Sequence, residues 1–502
     1  MSVGKSSKPE VPAIGTQMSA LAAADPDAPA VSHGGRTITR GQLDSITNRL
    51  ARAYAELGVH QGDYVTIALP NSIEWVQAVV ATWKLGAIPQ PLSSRLPDAE
   101  YSHLLDLRER ALLVGRADPR GKVPSVPGDF DPGDVSDAPL PEAISPSLKS
   151  MASGGSTGRP KLIESGADGR FQGAVVAAMM GNLPGDTQLV SVPLSHNTGF
   201  TSATTALATG QHLVLMSRFD PAEFLRLITE YRVNYLATVP TIMQRLLPVY
   251  RAADRGAYDL SSVTRWWHLA APCPPNVKEA WIEILGPDVV WELYGGTELQ
   301  ALTFISGSEW LTHRGSVGRV VSGEMKVVDD DGNECPLGVV GEIYMRPRPG
   351  ARPTYRYIGS TAKERDGWDS LGDLGWFDSD GYLYLADRRV DMFTVGGRNV
   401  YPAEIENALA EHPAVLSCLV VGVPHEDLGQ VPHALVHTDG TDLDEADIKA
   451  FIAERLAEYK VPRSVEFTDE PLRDDAGKAR RTAVRDEVIS RINARSQAPG
   501  RR

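Results

Sequence analysis

One local grammar repeats through the N-terminal part of this chain and constrains its fold more than any other feature. A capped amphipathic helix reaches a glycine stop, and a short apolar strand follows. Thr39 suits the cap of a helix, with Gln42 at the reciprocal position of a capping box. Leu43, Ile46, Leu50, Tyr54 and Leu57 then recur at helical spacing, and Gly58 ends the run. Tyr64–Leu69 reads as a strand. A second helix opens near Ser72, turns Ile73, Val76, Val80 and Trp83 inward, and stops at Gly86. Asp220-Pro221 repeats the start signal, a cap followed by proline at the first helical position, ahead of a strand over 234–239. Strands alternating with helices predict an α/β fold with parallel sheets flanked by helices.

The grammar changes after about residue 320. Met325–Val328 and Glu342–Met345 read as strands around the turn Asp330-Asp331-Gly332-Asn333, and Tyr382–Leu385 follows the turn Asp380-Gly381. This predicts a smaller antiparallel, β-rich piece. From Asp391 to Asn493 short strands mix with helices, one opened by Pro402 and one over 445–456. The expected organisation is a large N-terminal domain over residues 1–388 and a small α+β C-terminal domain over residues 389–502.

Composition excludes several classes. A net charge of −14 argues against broad binding to nucleic acid or anionic membranes, so any site for anions must concentrate positive charge locally. Cys273, Cys335 and Cys418 are far apart, with neither disulfide-framework nor zinc spacing, which suits a reducing cytoplasm. No apolar run of signal-peptide or transmembrane length is present. The first dozen residues and the tail Ser496–Arg502 read as disordered.

Five segments carry chemistry. Ser153-Gly154-Gly155-Ser156-Thr157-Gly158-Arg159-Pro160-Lys161 suits a loop around a polyphosphate: glycines admit the phosphates close to the backbone, hydroxyls donate, and Lys161 adds charge. It is not a Walker A loop, because Arg159-Pro160 follows Gly158. In Trp291-Glu292-Leu293-Tyr294-Gly295-Gly296-Thr297-Glu298, an apolar run meets a glycine turn that presents a hydroxyl and a carboxylate able to hold Mg²⁺. Asp373 follows Gly372 and can accept from ribose hydroxyls, to which Arg388 can donate. Lys478 stands in the basic run Gly477–Arg481. Gly396-Gly397 precede Arg398-Asn399-Val400-Tyr401-Pro402, and paired glycines serve either a plain turn or the close passage of a slender chain.

Together these segments resemble, in order, the motifs of the adenylate-forming superfamily, which includes acyl-CoA synthetases, luciferases and peptide-synthetase adenylation domains. Leu162 replaces that family's usual glycine after the loop lysine, and Leu371 and Asp387 also depart from its patterns. The resemblance implies an acid–CoA ligase that uses ATP, Mg²⁺ and CoA on a small-molecule carboxylic acid and binds no nucleic acid. Oligomeric state stays open. It implies that residues 153–158 and Lys161 hold the phosphates. Tyr294 and Gly295 would lie along the adenine, Thr297 would contact the adenylate, and Glu298 would bind the metal. Lys478 would be the catalytic lysine of adenylation. Gly396 and Gly397 would line the thiol path after a mobile C-terminal domain turns about a hinge at Val390. Ser195–Phe200 resembles the gate motif, with His196 at the acid-pocket mouth. It offers no carboxylate for an amino acid's ammonium. Ala270–Pro275 and Thr354–Gly359 resemble bacterial bile-acid CoA ligases more weakly, which favours a fatty, bile or sterol side-chain acid. Transfer to a carrier-protein thiol in trans is the alternative.

A competing reading starts from Gly154–Gly158, which also fits the nucleophile elbow of α/β-hydrolases with Ser156 as nucleophile and Ser32–Gly35 as an oxyanion segment. Pro160 and the lack of a clear apolar strand over 146–151 count against it. A nucleotide-binding, non-catalytic relative is disfavoured by the presence of Glu298 and Lys478.

Overall fold

The local signals form as expected. Thr39 and Gln42 close a capping box, with Gln42 N–H donating to Thr39 Oγ1 at 3.2 Å and Thr39 N–H to Gln42 Oε1 at 2.9 Å. The helix Arg40–Glu56 buries Leu43, Leu50 and Tyr54. Leu57 is 40 % exposed and does not join that stripe, because the helix has already ended. Ile73, Val76, Val80 and Trp83 are fully buried on the helix Ile73–Lys84. Asp220 caps Pro221–Tyr231 by accepting from Glu223 N–H. The computed structural model describes residues 10–153, 160–254, 256–389, 391–438, 440, 443–473 and 479–497, the side chains of 493–497 excepted.

The largest sheet has fourteen strands. Its central run is parallel: Pro29–His33, His212–Leu215, Thr187–Val190, Tyr235–Thr238, Arg265–Leu269 and Val290–Tyr294. The expected β-rich piece is antiparallel, but it continues this same sheet. Leu302–Ser306 and Ser316–Ser322 join Val290–Tyr294 to the strands Leu383–Arg388, Trp368–Phe377, Gly341–Arg346 and Glu324–Val328. Edge pairing of this kind depends on partners distant in the chain, so local pattern did not carry it.

A second, all-parallel sheet contains Ile88–Pro91, Tyr64–Ile67, Leu112–Val114 and Ser125–Val126. A third, antiparallel, runs Tyr355–Ile358, Lys161–Ser165, Ser150–Ser153. The smaller C-terminal unit has its own five-stranded sheet and its own core around Ile405, Leu409, Val420, Val436 and Ile448. Among the described residues, no helix is long and apolar enough to cross a membrane. The three cysteines are free thiols.

Candidate nucleotide and acid site

The strand Val290–Tyr294 ends the parallel run, and the motif at its carboxyl end points out of the sheet there. A Cβ on Gly295 would lie 2.4 Å from Leu302 Cδ2 and 3.0 Å from the Ala301 carbonyl oxygen, so a larger residue would force Leu302 and the turn to shift. The Tyr294 hydroxyl donates to Asp373 Oδ2 at 2.8 Å, and Arg388 Nε donates to Asp373 Oδ1 at 3.0 Å. Asp373 and Arg388 face each other across the strands Trp368–Phe377 and Leu383–Arg388. Three residues predicted separately thus form one wall. Burial first, and the Asp373 charge second, push the Tyr294 hydroxyl well above its ordinary range, so it stays a donor. Asp373 in turn keeps Arg388 firmly protonated.

Glu298 lies four residues beyond Tyr294 and is buried. Its Oε1 accepts the Tyr357 hydroxyl at 2.5 Å, and Lys161 Nζ lies 3.3 Å from the Tyr357 ring centroid. Burial lowers the Lys161 pKa, and Glu298 opposes that shift. Thr297 occupies the turn between Gly296 and Glu298. Tyr355 donates to Asp369 Oδ2 at 2.8 Å. The stretch 354–359, read above as a pointer to the acid, therefore sits against the motif carboxylate. Tyr357 was missed as a site residue, and the alternation Tyr355-Arg356-Tyr357 was its available signal.

Ser153 and Lys161 pair across the antiparallel strands Ser150–Ser153 and Lys161–Ser165, so they bracket the loop whose sequence reads as a phosphate loop. Gly154, Gly155, Ser156, Thr157, Gly158, Lys478 and the hinge position Val390 lie outside the described residues. A strand resumes at Lys161 where a nucleophile elbow requires a helix, and this overturns the hydrolase reading of Ser156.

His196 is the N-cap of the helix Asn197–Ala208, and its carbonyl oxygen accepts from Phe200 N–H at 2.9 Å. Behind it, the buried Lys149 reaches the first turns of this helix and donates to Asn197 Oδ1 and Thr201 Oγ1. Nothing in the local sequence marked Lys149, whose partners lie about 50 residues away.

Gly396 and Gly397, with φ of +55° and +78°, form the two-residue turn between Phe393–Val395 and Arg398–Val400. A hairpin turn with two positive φ values accounts for both glycines by itself. A Cβ at Gly397 would meet nothing within 4 Å. Nearby, Asp387 Oδ2 accepts from Ala403 N–H at 2.8 Å, at the start of the helix Pro402–Leu409. Asp387 is one of the three residues noted above as departing from the family pattern.

Glu298 suits a hard cation. It is an oxygen ligand with lone pairs left beside the Tyr357 hydroxyl, and Mg²⁺ on a nucleotide takes few protein ligands.

The model of the AMP-binding enzyme family matches residues 18–355, and that of the AMP-binding enzyme C-terminal domain matches residues 404–478. A 2-succinylbenzoate–CoA ligase of Geobacillus kaustophilus is 34 % identical over 481 residues, covering 92 % of this chain and 95 % of that one. The 3-[(3aS,4S,7aS)-7a-methyl-1,5-dioxo-octahydro-1H-inden-4-yl]propanoyl:CoA ligase of Mycobacterium tuberculosis is 32 % identical over 504 residues, covering 92 % and 96 %. The structure of o-succinylbenzoate CoA synthetase from Bacillus subtilis, in complex with its acyl-adenylate intermediate, superposes with a TM-score of 0.81 at 26 % identity, covering 94 % and 98 %.

Proposed function

This chain belongs to the AMP-binding enzyme family and is an ATP-dependent acid–CoA ligase, and from that premise we propose that its acid is bulky and largely apolar, of fatty or fused-ring type. The wall of Tyr294, Asp373 and Arg388 beside Glu298 is the observation that carries the assignment of residues. Asp373 accepts from the ribose hydroxyls, Arg388 donates to the ribose, and Tyr294 lies along the adenine. Glu298 would hold Mg²⁺, which neutralises phosphate charge when bound. Ser153, Lys161 and the loop between them cradle the phosphates. Thr297 contacts the adenylate, and His196 marks the acid-pocket mouth.

In the first half-reaction a carboxylate oxygen attacks the α-phosphorus, the bond to pyrophosphate breaks, and acyl-AMP forms. Lys478 stabilises the charge that develops there. In the second, the CoA sulfur attacks the acyl carbon, AMP departs, and the thiol proton goes to solvent. An acyl phosphate anhydride is already a good donor, so this step needs mainly positioning of the thiol. The C-terminal domain, residues 389–502, turns about Val390 to bring Gly396 and Gly397 to the thiol path. The reaction runs in the cytoplasm.

The acid follows from a gate segment without a carboxylate and from a relative that acts on a fused-ring propanoate. A pyrophosphate-release screen tests this, using decanoate, cholate, ferulate and alanine with and without CoA. Decanoate or cholate should lead, and the acyl thioester should form only when CoA is present. Faster turnover of alanine would overturn the acid assignment. Pyrophosphate release without a thioester to CoA would favour the carrier-protein acceptor.

A further inference from the structure

Lys149 immediately precedes the strand Ser150–Ser153 that leads to the phosphate loop, and its own carbonyl oxygen accepts from Ser165 N–H at 3.0 Å. Its backbone thus belongs to the phosphate-loop hairpin. Its side chain belongs to the other wall. Nζ donates to Asn197 Oδ1 and to Thr201 Oγ1, the latter at 3.4 Å, and lies 5.1 Å from the Phe200 ring centroid. All three are in the first two turns of the helix that His196 caps.

Lys149 is only 5 % exposed, and among the described residues no carboxylate pairs with it. The positive end of the helix dipole opposes an ammonium placed there. The other buried lysines differ: Lys84 donates to Asp44 and Lys278 to Glu292, each at 2.6 Å. An ammonium buried without a counter-charge costs stability through its lost hydration rather than adding to it. Stability therefore gives no reason to keep a lysine at 149.

We propose that Lys149 is a positioning residue for acid activation: by tying Asn197 and Thr201 to the phosphate-loop hairpin, it holds His196 at a set distance from the adenylating phosphate. This rests on the acid–CoA ligase reading above. Lys149 acts through the helix that carries its partners Asn197 and Thr201.

The test is Lys149→Met in the full chain, beside Lys149→Met/Asn197→Leu. Pyrophosphate release is followed with MgATP and decanoate or cholate. The melting temperature of Lys149→Met should equal or exceed that of the wild type. Its KM for ATP should stay within about twofold, and its kcat/KM for the acid should fall about tenfold or more. The double variant should lose no more, since both changes cut the same link. A variant that fails to fold, or melts lower with acid kinetics unchanged, would make Lys149 a structural strut and overturn the proposal. A further independent loss in the double variant would break the route through Asn197. If wild-type protein releases no pyrophosphate with either acid, the acid assignment has failed rather than this proposal, and a Lys149→Met protein that melts below the wild type still overturns the proposal.

Discussion

Lys278 and Lys149 are both buried lysines set against the walls of the site, yet their surroundings are opposite. Lys278, fully buried on the helix Pro275–Leu285, meets the Glu292 carboxylate at 2.6 Å and lies 4.8 Å from the Trp310 ring centroid. His268 Nε2 sits 3.8 Å from the same carboxylate, and burial, then Lys278, hold the imidazole neutral. Among the described residues, Lys149 meets a carboxamide, a hydroxyl and an aromatic face. Burial alone lowers its pKa to about 7. The contrast separates two uses of a buried charge. A paired one is locked into the packing behind the Tyr294 strand. An unpaired one bears its desolvation cost with no counter-charge to offset it.

The largest expected effect breaks the paired cluster. Lys278→Met strands the Glu292 carboxylate in the core, which should cost about 3–5 kcal/mol in denaturant unfolding. Lys278→Met/Glu292→Leu removes both charges and should recover most of that loss. If the single variant melted like the wild type, the pair would be solvated and the comparison would collapse.

The next effect sharpens the unpaired side through pH. An unfolded lysine titrates near 10.5 and the folded Lys149 near 7. Between those values the unfolded chain binds the extra proton, so this residue makes stability rise as pH rises from 7 toward 10. The rise should be on the order of 2–4 kcal/mol, and it should vanish in Lys149→Met. Chemical denaturation at pH 7 and pH 9.5 measures it. Parallel slopes in the two proteins would mean that a counter-charge reaches Lys149 after all.

The smallest effect concerns Asp387, which accepts from the start of the helix Pro402–Leu409. Burial raises its pKa to about 6, against the helix-start hydrogen bond from Ala403 and the charge of Arg481, which act to lower it. The folded state then holds the proton between about pH 4 and 6, so this group's contribution to stability falls as pH rises through that window. Asp387→Asn keeps an acceptor for Ala403 N–H and removes the charge. It should raise stability at pH 7 by about 1 kcal/mol, after discounting for a partly exposed side chain. No gain at pH 7, with the gap unchanged at pH 4, would show the carboxylate to be solvated.

Much of the wall proposed for the nucleotide was legible because each of its residues sits in a short run with its own chemical logic. Tyr294 and Glu298 flank a glycine turn, Asp373 follows a glycine, and Arg388 closes a strand. Their convergence on Asp373 needed the sheet. The acid side was less legible: the 354–359 stretch, read as an acid-pocket pointer, puts Tyr357 on Glu298. The glycine pair 396–397 fits a turn and a thiol path equally well in sequence, and the fold explains it by the turn.

What the sequence alone determined is whatever depends on neighbours a few residues apart. That covers the capping box at Thr39, the proline start at Pro221 and the alternation of capped helices with short apolar strands. Caps and turns are satisfied within one turn of chain, so residue order is enough to read them. Only the tertiary structure decided that the antiparallel strands extend the main sheet, that Tyr357 meets Glu298, and that Lys149 reaches Asn197. Those choices depend on which distant edges pair and which long polar side chains are buried together. A lysine in water and a lysine in a core look the same in sequence, because desolvation is a property of the packed neighbours.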